Sequence, residues 1–209
     1  MPAAPALTRL FVTKLYRAEI AGRAGKKLNR ELDQTCRVFA EDDAAGRRWS
    51  AKSAYPGYTS YASLNDLPAR ATAFADLKTH LDRHAARFAK ALDFDLGGKK
   101  FVLDSLWINV LEPGGFHTGH IHPHSVISGT YYVSVPDGAG ALKLEDPRHP
   151  FMMAAPPRKK NAPLENQAFH YIAPEAGTLL MWESWLRHEV PLNQAESERI
   201  SISFNFTLE

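Results

Sequence analysis

The sequence predicts a mainly β protein in which an N-terminal layer of helices supports a barrel or jelly roll. From residue 101 onward, short β-rich runs follow one another between Gly, Pro and Asn, with no long helical pattern among them. Before residue 98, apolar residues recur at steps of three and four, which is typical of one helix face. We therefore interpret residues 1–209 as one domain, with an N-terminal strand and buttressing helices at 1–98 and a jelly-roll core at 99–209.

The N-terminal part is predicted to contain one strand, two helices and a loop. Residues 7–20 carry β-branched and aromatic residues in rough alternation, which favours a strand. Apolar stripes along 28–39 and 74–92 predict the two helices. The stretch from Trp49 to Pro68 is rich in Ser, Tyr, Gly and Pro and predicts a loop.

Composition and charge argue against several classes of protein. With 44% hydrophobic and 23% charged residues, the chain has the composition of a globular protein. A net charge of +2 is too small to indicate a nucleic-acid partner. No apolar stretch approaches the roughly 20 residues that a membrane-spanning helix needs, and the N-terminus lacks the order of a signal peptide. We therefore expect no membrane partner. Since the single Cys36 excludes an intrachain disulfide, we also expect a cytoplasmic protein.

Four histidines lie within eight positions: His117, His120, His122 and His124. Because a strand places residues i and i+2 on one face, His120 and His122 could point together into a barrel. The later pair has the same spacing, but the proline between its members begins to turn the chain. A third ligand has to come from elsewhere, and His188 is the best choice because it follows the β-run GTLLMWES. Three protein ligands leave coordination positions open, which suits a catalytic site for zinc, iron, nickel or manganese.

The remaining histidines are expected to stay outside the metal site. His117 has the opposite strand parity to His120, so we expect it to line the pocket entrance or to hydrogen-bond a loop. We expect His124 at the surface, after the turn. His149 and His170 fall in a long proline-rich stretch, 146–170, which we interpret either as a lid over the barrel or as a solvated excursion.

A possible anion site follows the last histidine. Arg199 opens the alternating run RISISFNF, and an arginine that faces inward would be a buried cation in need of a partner. A dicarboxylate fits, because guanidinium and carboxylate match in bidentate geometry. Tyr131 or Tyr132 could add a hydroxyl, but only one of two adjacent strand residues faces the cavity.

The order of these motifs resembles the iron(II)- and 2-oxoglutarate-dependent oxygenases, and in particular a bacterial branch related to prolyl 4-hydroxylases. The resemblance lies in H-I-H, SGTYYVSVP, PEAGTLLMWESWLRHEV and RISISFN, and covers residues 101–209. It implies a double-stranded β-helix, which is a cupin-like jelly roll. It also implies a dioxygenase that uses molecular oxygen, decarboxylates 2-oxoglutarate to succinate and hydroxylates a small-molecule or peptidyl substrate.

The resemblance also implies roles for individual residues, with no catalytic residue beyond the metal ligands. The ligands of Fe(II) match His120, His122 and His188. The residues that bind 2-oxoglutarate match Arg199, Tyr132, Ser203 and Asn109. One position departs from the family pattern, because His122 stands where Asp or Glu is common.

Two alternatives remain open from the sequence. A cupin-type metalloenzyme that does not use 2-oxoglutarate would share the barrel, but Val126 and Ile127 stand where its motif needs a glutamate. A non-catalytic metal-binding or sugar-binding jelly roll would leave the arginine, serine and tyrosine set without a purpose. The primary substrate and the oligomeric state, including a homodimer, are also open.

Overall fold

The computed structural model describes residues 6–209. The helices in this range are α1 (Gly22–Asp42), α2 (Ala44–Lys52), α3 (Leu67–Arg70) and α4 (Thr72–Ala91), with short 3-10 turns at His149–Phe151 and Leu164–Asn166. The strands are β1 (Tyr16–Glu19), β2 (Gly57–Thr59), β3 (Phe101–Leu111), β4 (His117–His120), β5 (Ile127–Ser134), β6 (Leu142–Glu145), β7 (Phe169–Ile172), β8 (Thr178–Glu183), β9 (His188–Val190) and β10 (Arg199–Leu208). Over the described range, no helix combines the length and the apolar character needed to cross a membrane.

The strands form two antiparallel sheets. The larger sheet has the order β1-β8-β5-β10-β3-β2, and the smaller one has the order β4-β9-β6-β7. From β3 to β10 the chain changes sheet at every step except between β6 and β7. This alternation is that of a double-stranded β-helix, so the predicted mainly β fold with supporting helices is confirmed.

The larger sheet separates two hydrophobic cores. On one face it packs against α1 and α4, through buried residues that include Leu32, Leu77 and Phe204. On the other face it packs against the smaller sheet, through residues that include Tyr132 and Leu144. Because side chains alternate along a strand, the neighbours Tyr131 and Tyr132 fall in different cores. The helices thus cover one face and leave the other face to the space between the sheets.

Two boundary predictions in the N-terminal part are wrong. The N-terminal strand was expected over 7–20, but only Tyr16–Glu19 forms a strand, in register with β8. The predicted loop at 49–68 contains the end of α2, all of β2 and the start of α3. Helix α2 begins at the capping residue Asp43, which accepts a hydrogen bond from the Gly46 backbone at 3.0 Å. Strand β2 exists because it pairs with β3, a contact that local sequence does not display.

Candidate active site

Three histidine side chains meet in the structure. One nitrogen from each of His120, His122 and His188 lies within 4.8 Å of the others. Their ring centroids are 4.4 Å apart for His120 and His188, and 5.2 Å apart for His122 and His188. His120 is exposed and His188 is buried, so the cluster opens to solvent on the His120 side. The chain therefore brings together the three residues expected to bind a metal.

Strand pairing and a loop position these histidines. His120 ends β4 and lies directly opposite His188, the first residue of β9. His122 lies beyond the end of β4, and its backbone N–H donates to the Ser184 carbonyl at 3.0 Å. The two side chains do point to one cluster, but the expectation that they share one strand face is wrong. Strand β4 ends at His120, and a short anchored loop brings His122 to the cluster.

Backbone contacts orient two of the rings. The Nδ1 atom of His120 lies 2.7 Å from the Thr118 carbonyl oxygen. The Nδ1 atom of His188 lies 2.9 Å from the Leu186 carbonyl oxygen. A carbonyl only accepts, so each Nδ1 carries the proton and each Nε2 presents a free lone pair. The ring of His122 stacks on Trp107, with centroids 6.0 Å apart.

Burial keeps two of these imidazoles neutral. Desolvation, with the charge of His120 as the next cause, lowers the pKa of His188 to about 3. The same two causes lower the pKa of His122 to about 4. Since a metal binds only the deprotonated imidazole, both rings are ready to serve as ligands at neutral pH.

A buried cation lies between the two sheets. Arg199 is only 2% exposed, and its guanidinium carbon stands 5.0 Å from the centre of the Tyr132 ring. Within residues 6–209, neither the Tyr132 hydroxyl nor the Arg199 Nε and Nη1 atoms have a hydrogen-bond partner. The Tyr131 hydroxyl instead donates to Asn29 at 2.9 Å on the helix side of the sheet. Of the two adjacent tyrosines, Tyr132 is the one beside Arg199.

The two other predicted cosubstrate residues contact each other. Asn109 donates to the Ser203 hydroxyl at 3.0 Å and accepts from the Thr59 hydroxyl at 3.0 Å. Ser203 lies four residues beyond Arg199 on β10, or roughly 13 Å along the strand. Ser201 lies halfway between them on the same face and is buried, as the alternation of a strand with an inward-facing Arg199 predicts.

His117 belongs to the surroundings of this cavity. Its Nε2 atom lies 2.7 Å from the hydroxyl of Tyr55, in the loop between α2 and β2. Thus the expectation that His117 would hydrogen-bond a loop is confirmed. Burial, and next the charge of Arg199, lower its pKa to about 3. Tyr55 was missed because nothing in a serine- and tyrosine-rich loop shows which tyrosine turns inward.

The other histidines lie outside the cluster. His124 is exposed, as expected. His149 lies in a 3-10 turn, with its Nδ1 atom 3.5 Å from the Glu145 carboxylate. His170 was predicted in the long loop, but it lies in β7, where it pairs with Leu144. Leu144 also pairs with His188. The loop at 146–168, which joins β6 to β7, therefore starts from the smaller sheet close to the histidine cluster.

Comparison with known proteins finds a family match in the jelly-roll core. Residues 105–205 match a family described as "Putative 2OG-Fe(II) oxygenase". The match places this part of the chain, slightly less than half of its length, in the iron(II)- and 2-oxoglutarate-dependent oxygenase superfamily. All seven residues assigned to the metal and the cosubstrate lie within the matched range. No curated protein matches the chain.

Solved structures share the fold of this chain. A prolyl-4-hydroxylase from Pseudomonas putida is 20% identical, with 93% of each chain covered and a TM-score of 0.64. The epimerase SnoN from nogalamycin biosynthesis is 14% identical, with 93% of this chain and 76% of that chain covered and a TM-score of 0.62. HygX from Streptomyces hygroscopicus, solved with nickel and 2-oxoglutarate, is 16% identical, with 97% and 88% covered and a TM-score of 0.57. At these identities the likeness concerns the fold, and the two reactions that are named, a hydroxylation and an epimerisation, differ.

Proposed function

We propose that this protein is an Fe(II)-dependent dioxygenase that hydroxylates a small-molecule or peptidyl substrate while converting 2-oxoglutarate to succinate. The observation that carries the proposal is the buried Arg199, whose Nε and Nη1 atoms have no partner among the described residues. A buried guanidinium without a partner is costly. It is explained if the far carboxylate of 2-oxoglutarate pairs with it, because the two groups match in bidentate geometry.

The donor set fits a divalent transition metal. Imidazole suits iron, zinc, copper and nickel, and three protein ligands leave room for a bound cosubstrate and oxygen. His120, His122 and His188 would hold the metal through ring nitrogens that are close together, while the backbone carbonyls of Thr118 and Leu186 fix two of the rings. Carbonyl contacts of this kind hold a ligand ring in one tautomer.

Around the metal, the chain's own residues would bind and orient the cosubstrate. Arg199 and the Tyr132 hydroxyl would take a carboxylate, since both hold unpaired donors beside each other. Asn109 and Ser203 would contribute from the polar network on β3 and β10. The cluster of Leu144, Ile172 and Trp182 between the sheets would keep the cavity dry. The bound iron and 2-oxoglutarate would supply the oxidation of a C–H bond by molecular oxygen.

Anaerobic titration tests the proposal. We expect Fe(II) and 2-oxoglutarate together to produce a metal-to-ligand charge-transfer absorption band that neither produces alone. The Arg199→Met variant, which keeps the aliphatic stem, should bind Fe(II) normally and should show the band only at much higher 2-oxoglutarate concentration. A wild-type spectrum without the band would overturn the use of 2-oxoglutarate. An unchanged titration of the variant would remove the role of Arg199.

A further inference from the structure

A tyrosine and a histidine join the two sheets at one side of the cavity. His117 begins β4 in the smaller sheet, and Tyr55 lies two residues before β2, the edge strand of the larger sheet. The Tyr55 hydroxyl lies 2.7 Å from His117 Nε2, and the two rings are 5.5 Å apart. This pair is the point at which the segment after α2 reaches the space between the sheets.

The pair lies at the level of Arg199. Across the larger sheet, Arg199 pairs with Leu111, and Leu111 pairs in turn with Gly57, which is two residues from Tyr55. Burial raises the pKa of Tyr55, and the charge of Arg199 opposes that rise. The charges of Arg199 and, to a smaller extent, His120 also act on His117. The charge of Arg199 therefore acts on both residues, and His117 lies on the strand that ends at the predicted ligand His120.

The tautomer of His117 depends on the Tyr55 hydroxyl. That hydroxyl lies 2.7 Å from His117 Nε2 and 3.4 Å from Asn109 Oδ1, and it can donate its one proton to either acceptor. When it donates to Nε2, which is the nearer atom, the proton of the neutral ring is on Nδ1. Among the described residues, no other hydrogen bond joins the His117 side chain, so in this tautomer Nδ1–H has no acceptor within the chain.

We propose that His117 is a further cosubstrate-binding residue, whose Nδ1–H donates to the carboxylate that pairs with Arg199, and that Tyr55 is the positioning residue that sets its ring. The inference rests on the proposed use of 2-oxoglutarate. It makes the segment between α2 and β2 part of the binding site. If the pair were purely structural, it would only hold the edge of the barrel together. Its loss would then not affect the binding of one ligand more than that of another.

Calorimetry with two probes separates these roles. The protein, loaded with Mn(II), is titrated with 2-oxoglutarate and, separately, with oxalate. Oxalate can chelate the metal but is too short to reach Arg199 as well. His117→Ala should weaken 2-oxoglutarate binding about ten-fold or more, because it removes a hydrogen bond to a charged group. Oxalate binding should stay unchanged. Tyr55→Phe should weaken 2-oxoglutarate binding in the same direction but less, and it keeps the ring packing.

The exposed His124 provides the matched control, and His124→Ala should bind both probes as the wild type does. If His117→Ala weakens both probes equally, or neither, the inference is overturned while the proposed function stands. If the wild type binds oxalate but not 2-oxoglutarate, the proposed function fails and this inference fails with it.

Discussion

His122 is the residue that sets this site apart from the common two-histidine, one-carboxylate arrangement. Imidazole is neutral, so three histidines leave the +2 charge of a bound divalent metal uncompensated. A carboxylate at this position would cancel one unit of that charge. Among the described residues, no carboxylate joins the cluster of three histidines. The bound cosubstrate, as a dianion, would then be the main source of charge compensation. We therefore expect metal and 2-oxoglutarate to bind with strong mutual dependence.

Removal of one ring should test the metal site directly. We expect His188→Ala to lose most of its bound Fe(II) during dialysis, because two exposed or half-exposed ligands remain in place of three. The metal content of the dialysed protein measures this outcome. His124→Ala removes an exposed imidazole from the same segment and should retain the metal. A His188→Ala variant that keeps its full metal content would contradict the assignment of His188 as a ligand.

At the scale of the elements, Asp43 connects the start of α2 to β2 and to the loop that follows β2. It accepts hydrogen bonds from the Gly46 backbone at 3.0 Å, from the Tyr58 hydroxyl at 3.0 Å and from the Ser63 hydroxyl. Burial opposes its ionisation, but these hydrogen bonds outweigh burial and lower its pKa. The carboxylate thus caps a helix and holds the loop that follows β2 at the same time.

We expect Asp43→Ala to lower the free energy of unfolding by about 1–2 kcal/mol, the upper range for loss of a helix cap, because buried donors also lose their acceptor. Urea unfolding followed by circular dichroism measures it. Asp42→Ala, at the exposed end of α1, should change stability by less than about 0.5 kcal/mol. Equal effects of the two substitutions would show that the cap is unimportant.

For the whole molecule, the buried histidines make stability depend on pH. The pKa values of His117 and His188 are lowered to about 3, and that of His122 to about 4, chiefly by burial. An unfolded histidine titrates near 6.5. Between these limits the unfolded chain binds more protons, so stability rises with pH in this window and is lost as pH falls below about 6.5.

We expect the metal-free protein to unfold at a lower urea concentration at pH 5 than at pH 7. Both pH values lie above the range in which most carboxylates titrate. His188→Asn should flatten the dependence, and His124→Ala should leave it as it is. A wild-type midpoint that is constant or higher at pH 5 would contradict the effect of burial.

The sequence by itself determined the elements that repeat within a few residues. The apolar stripes of α1 and α4 and the alternation of RISISFNF in β10 are local patterns, since helix and strand periods are short. Spacing singled out His120, His122 and His188 as ligands. The same alternation showed that only one of Tyr131 and Tyr132 faces the cavity, though not which one.

Only the tertiary structure decided the contacts between distant segments. The pairing of His120 with His188, the anchor of His122 on Ser184 and the contact of Tyr55 with His117 join residues far apart in the chain. They depend on strand register and on the packing of the loops. Register is set by the sum of hydrogen bonds and buried surface over both sheets, and no short stretch of sequence contains that sum.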